Sequence, residues 1–127
     1  MRALVVLAAL AACGGGQHPR STGMRELAAE MDAEMAEVVR IVHDLRADCP
    51  AMATQLRAVF VRMKVSVDRA HLAQQDPALA TELTTEMRRY DNASKRRMAQ
   101  IESDFTVNAT CAADPEVRDA LMTMPTL

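Results

Sequence analysis

The 127-residue chain has no Trp, one Tyr and two Phe, so Phe60, Tyr90 and Phe105 are its whole aromatic content. A groove that stacks single-stranded bases wants interleaved aromatic side chains. A formal charge of -2, from 15 basic and 17 acidic residues, gives no general pull toward polyanions. Nucleic acid is therefore excluded as a partner. Cysteine is scarce as well, at three residues, and none falls in a Cys-x-x-Cys pair, which excludes covalent haem attachment and a thioredoxin-type redox site. Three of the four glycines form the run Gly14 to Gly16, ahead of a helical pattern and not behind a strand, so they make no phosphate loop. Gly-x-Ser-x-Gly and His-Glu-x-x-His are also missing. The chain reads as non-catalytic, with no cofactor expected. No stretch alternates apolar and polar residues, and no Asn-Gly or Asp-Gly turn is present, which removes the signals of a sheet. The longest apolar run, Ala3 to Ala12, is far short of the roughly 20 residues that span a bilayer.

That run follows Met1 and Arg2 and ends in small residues before Cys13, the order of a signal peptide: a positive start, an apolar stretch, a small-residue cleavage site. Leu10, Ala11, Ala12 and Cys13 resemble the lipobox of bacterial lipoproteins at every position. The resemblance implies cleavage before Cys13 and a lipid on its thiol, which would hold the mature chain in a membrane. Gly14 stands where lipoproteins retained in the inner membrane often carry Asp, so the resemblance further implies an outer-membrane anchor facing the periplasm. The expected organisation is a lipoprotein signal peptide over 1–12, the lipidated Cys13 and a flexible tether over 13–23, and a helical domain over 24–127. Ten flexible residues reach about 16–19 Å on average, enough to set the domain clear of the headgroups.

From Met24 onward the apolar residues fall at alternating spacings of four and three, the period of an amphipathic helix. The first stripe is Met24, Ala28, Met31, Met35, Val38, Val42 and Leu45, with Ser21 or Thr22 as caps and Asp48-Cys49-Pro50 as the stop. A second contains Met52, Leu56, Val59, Phe60, Met63, Val67 and Ala70. Asp76 and Pro77 start a third, long one through Leu79, Leu83, Met87, Tyr90, Ser94, Met98, Ile101 and Phe105, and Asp114 with Pro115 starts a short fourth. Short connections imply antiparallel neighbours. The predicted fold is all-α, an antiparallel up-down-up three-helix bundle with a short C-terminal fourth helix.

With Cys13 consumed by lipid, Cys49 and Cys111 remain as an even pair in a chain sent to an oxidising compartment. Both lie at the same end of an up-down-up bundle, so the predicted topology allows a disulfide between them, whereas a different helix count would separate them.

Residues 24–48 carry three basic and seven acidic side chains, while residues 87–98 carry five basic and one acidic. Arg88, Arg89, Lys95, Arg96 and Arg97 thus form a candidate contact patch for headgroups or an acidic partner, although pairing with the first helix is the simpler reading. Ten methionines suggest a soft-metal site, since thioethers select Cu(I), but seven fall on apolar stripes, where core filling accounts for them better; Met122 and Met124 do not. His43 and His71 lie at opposite ends of the predicted bundle and cannot share an ion. Asp68 and His71 are spaced for a local pair. Leu83, Thr84, Thr85, Glu86 and Met87 are similar to the Leu-Thr-x-x-Gln repeat of the Spy-like periplasmic helical chaperones, with Met in the Gln position and a single copy. No functional residue is carried over from that family. The expected function is a membrane-tethered, non-catalytic helical interaction or scaffolding module with an envelope protein as partner. Soft-metal binding or a periplasmic stress or chaperone role is the alternative.

Overall fold

The computed structural model describes the chain from Pro19 to Leu127. Its regular elements are helical throughout: α1 (Pro19–Asp44), α2 (Cys49–Gln74), α3 (Pro77–Met87), a 3-10 turn (Arg88–Tyr90), α4 (Asp91–Val107), α5 (Ala109–Ala113) and α6 (Pro115–Met122). The segment expected to be a signal peptide over 1–12, the expected lipidation site Cys13 and the first part of the expected tether lie outside the described residues.

Three helix starts share one local code. An aspartate carboxylate accepts the otherwise orphaned N–H groups of the first turn, and a proline just behind it contributes a preset φ where no N–H is needed. Asp48 accepts from Ala51 N at 3.1 Å, Asp76 from Ala78 N at 2.9 Å, and Asp114 from Val117 N at 3.0 Å. Asp48-Cys49-Pro50 thus does more than stop the preceding helix, because it begins α2. α1 is already helical at Pro19, ahead of the start at Met24 expected from the sequence. Ser21 and Thr22, read from the sequence as caps, fall within the span of the helix.

Hydrophobic burial then orders the helices. On α2, Met52, Leu56, Val59, Met63, Ser66, Ala70 and Ala73 are buried at spacings of four and three, with Ala53, Phe60 and Val67 beside them. Every apolar residue assigned to this stripe from the sequence is in the core. α1 is buried more broadly than one stripe, because Leu27 and Ile41 are inaccessible alongside Ala28, Val38 and Val42. The cause is its position between α2 on one side and α3 with α4 on the other. Cross-helix pairs fix the directions. Glu30 meets Arg69 and Glu34 meets Ser66, so α1 and α2 run antiparallel. Asp32 meets Arg97 and His43 meets Asp104, so α4 runs in the sense of α1. α6 lies along α2, burying Val117 and Ala120 and leaving the Glu116 carbonyl to accept from Arg57 at 3.3 Å.

The long third helix expected from the sequence is two helices. Over Arg88–Tyr90 the chain tightens into a 3-10 turn, and Tyr90 leaves it with φ -102° and ψ 0°. Three residues wound at 3.0 per turn and not 3.6 advance the helix face by roughly 60° more than an α-helix would. The inward face of α4 is shifted about one position earlier as a result. Ala93, Arg97 and Asp104 face inward with Ile101 and Phe105, whereas Met98, placed on the apolar stripe by the sequence, is 54 % exposed. The α1–α4 interface is accordingly built from charges as well as from carbon.

At one end of the molecule Cys49, the first residue of α2, is joined to Cys111 in α5 by a disulfide, with 5.1 Å between their Cα atoms. Asn108 Nδ2 donates to the Arg46 carbonyl at 2.9 Å and closes the same end. Among the described residues no helix is long and apolar enough to cross a membrane.

Candidate binding site: a methionine-lined cavity between two cores

The buried residues form two clusters. Leu27, Ala28, Ala70, Ala73 and Leu83 make one, and a larger one runs from Val38 through the α2 stripe to Val117 and Ala120. Between them, where the 3-10 turn separates α3 from α4, lies a half-open cavity of about 260 Å³. Its walls are supplied by flexible thioethers: Met31 and Met35 from α1, Met63 from α2 and Met87 from the end of α3, with Tyr90 beside them. Pro125 and Leu127 of the C-terminal segment complete the rim. Methionines at these positions are readable as stripe residues from sequence, yet their convergence is not, because the chain tightens at Arg88–Tyr90 for no reason that periodicity carries.

Polar groups line the same space. Arg97 and Asp32 are joined in a bidentate ion pair, the second contact of which measures 3.1 Å, and the Asp32 carboxylate beside it holds the Arg97 guanidinium more firmly protonated against the opposing effect of burial. Glu34 Oε1 accepts from the buried Ser66 hydroxyl at 2.8 Å, while Glu34 Oε2 is buried without a hydrogen-bond partner. Asp91, in the first turn of α4, adds a third carboxylate.

The basic patch expected on Arg88, Arg89, Lys95, Arg96 and Arg97 is divided. Arg97 turns inward to Asp32, as the complementary charge of α1 suggests, and Arg89 Nε lies 2.9 Å from Glu86. Arg88, Lys95 and Arg96 remain exposed and form no ion pair among the described residues. His43 Nδ1 bonds the Asp104 carboxylate at 3.1 Å, a partner on another helix that sequence spacing does not reveal. Asp68 pairs with Lys64 at 2.6 Å and not with His71. Among the described residues no group of three or more His, Cys, Asp or Glu side chains converges as a metal site. Met122 and Met124 are exposed. On the outer face of α2, Val61, Val65 and Leu72 are 71 %, 62 % and 65 % exposed, with Asp68 of the Asp68–Lys64 ion pair between Val65 and Leu72. At 100° per residue the three side chains fall within roughly 40° of one another around the helix.

No protein-family model, curated protein sequence or solved structure matches this chain.

Proposed function

We propose that the protein is a lipid-anchored bacterial envelope protein, held through Cys13 in the outer membrane and facing the periplasm, whose helical domain works as a non-catalytic interaction module. The observation that carries the reading is the outer face of α2, where Val61, Val65 and Leu72 stand exposed on one line of the helix around the Asp68–Lys64 pair. Scattered exposed apolar residues are ordinary, but an aligned set on a stapled scaffold suits docking of another helix by its apolar side. The Cys49–Cys111 disulfide supports delivery to an oxidising compartment, since such bonds persist there and are rare in the cytosol. The domain is read as an up-down-up arrangement, with α3 and α4 together forming the third leg.

The occupant proposed for this face is an envelope protein offering an amphipathic helix. Photocrosslinkers placed at Val65 in the lipidated protein are expected to trap one discrete partner, and Val61→Asp is expected to abolish that adduct without changing thermal stability. Adducts that are diffuse, or unchanged by Val61→Asp, would count against a docking face. Cys13→Ser is expected to release the protein from the membrane fraction, and retention of that variant would count against the anchor.

A further inference from the structure

We infer that the methionine-lined cavity is a binding site for a small monocationic ligand with an apolar, preferably aromatic, body. The site is separate from the α2 docking face and does not depend on it. Three features of the cavity select that chemistry.

Its walls are soft. Met31, Met35, Met63 and Met87 line it, and unbranched thioethers adjust to an irregular guest and make favourable contacts with aromatic ring edges. A volume of about 260 Å³ falls just below the range of about 300–1,000 Å³ typical of drug-sized ligands, which suits a smaller molecule.

Its charge is negative. Arg97 is already committed to Asp32, so the carboxylates of Glu34 and Asp91 are left without a compensating cation in the lining. An apolar anion would meet two like charges there.

One carboxylate oxygen of a lining residue is held without a partner. The Ser66 hydroxyl fixes Glu34 through Oε1, and Oε2 is buried with no hydrogen-bond partner. A buried, unpaired carboxylate oxygen is costly, and a donor that reaches it as the flexible methionines give way recovers that cost. The Oε2 atoms of Glu82 and Glu86 are also buried without a hydrogen bond, but neither residue lines this cavity, and Glu86 is held in an ion pair with Arg89.

The ligand's ammonium group would therefore lie toward Glu34, its body among the methionines and Tyr90. The test uses three molecules of one shape and different charge, phenylbutylammonium, phenylbutanol and phenylbutanoate, titrated calorimetrically into the full domain at neutral pH. Charge-assisted hydrogen bonds imply that the ammonium binds roughly ten- to hundredfold more tightly than the alcohol, with the carboxylate weakest. Glu34→Gln keeps the acceptor for Ser66 and is expected to fold normally while losing most of the preference for the ammonium over the alcohol; Asp91→Asn should reduce it in part. Equal affinity for all three, preference for the carboxylate, or no binding of any would overturn the inference. So would a Glu34→Gln protein that keeps the unaltered preference. Because the charge series is run first on the unsubstituted protein, the result stands whether or not a variant folds.

Discussion

His43 on α1 and Asp104 on α4 meet across 61 positions of sequence, with Nδ1–H donating to both carboxylate oxygens at 3.1 and 3.2 Å. Asp104 is 8 % exposed, and Gln100 Nε2 donates to it at 3.2 Å. Burial alone would push this carboxyl upward. The hydrogen bonds from His43 and Gln100, with the nearby charges of His43 and Arg46, outweigh burial and hold it below the usual carboxylate range. The polar contact therefore stabilises the α1–α4 interface only while Asp104 is ionised.

A pH dependence of stability follows with a definite sign. A carboxyl depressed in the folded state contributes stability that is present above its unfolded pKa, about 4, and disappears as pH falls through the lower folded value. Thermal unfolding followed from neutral pH downward should show a loss beginning below about pH 4. Asp104→Asn should be less stable at neutral pH, by roughly 1–3 kcal/mol for a charge-assisted hydrogen bond, and should lose less on acidification. Parallel curves for the two proteins would show that Asp104 has no such role.

The disulfide encloses a long stretch of chain, since its cysteines are 62 positions apart. In the chain-entropy account, closing a loop of this size stabilises the folded state by roughly 4 kcal/mol. Cys49→Ser with Cys111→Ser should therefore unfold at markedly lower denaturant concentration, read as a fall in the midpoint. A midpoint unchanged within error would mean that packing around α2 and α6 alone holds this end.

The 3-10 turn can be tested by substitutions on either side of it. Leu83 precedes the turn and is 2 % exposed, so Leu83→Ala should cost about 2–5 kcal/mol. Met98 follows the turn on what sequence spacing makes the same stripe, yet it is 54 % exposed, so Met98→Gln should stay within about 0.5 kcal/mol of the unsubstituted protein. Equal and large losses at both positions would restore one continuous third helix and contradict the shifted face of α4.

These residues also mark how far the sequence carries. α2 is legible because one buried face repeats at 3.5 residues from Met52 to Ala73 with nothing polar on it but Ser66. Two helix starts are legible because Asp with a following Pro encodes them locally at Asp76 and Asp114, while Asp48-Cys49-Pro50, which reads as a stop, also begins α2. The pairing of Cys49 with Cys111 is legible once the helices are ordered. Beyond the turn at Arg88–Tyr90 the reading fails, since a change of roughly 60° in phase has no periodic signature and exchanges Ser94 and Met98 for Ala93 and Arg97 on the inward face. α1 misleads in another way: packing on two sides buries Leu27 and Ile41, which a single-stripe pattern leaves out. The cavity is legible only in part, because its methionines are visible in sequence while their meeting point depends on that turn.

Ionic contacts across α1 and α4 should be sensitive to geometry and not only to charge. The Arg97 guanidinium engages both oxygens of Asp32, a fork that lysine cannot reproduce. Arg97→Lys is expected to lower stability by about 1 kcal/mol, and a double-mutant cycle with Asp32→Asn should show coupling above about 0.5 kcal/mol. Additive effects would indicate a solvated pair without consequence for the interface.

Export of a helical domain stapled by one disulfide and tethered by lipid is best checked by the intact mass of the protein recovered from a bacterial envelope without reduction. The expected mass is that of a chain beginning at Cys13, heavier by fatty acyl groups on that residue and lighter by two hydrogens for the Cys49–Cys111 link. A mass matching the unprocessed chain from Met1, with all three cysteines as free thiols, would contradict it.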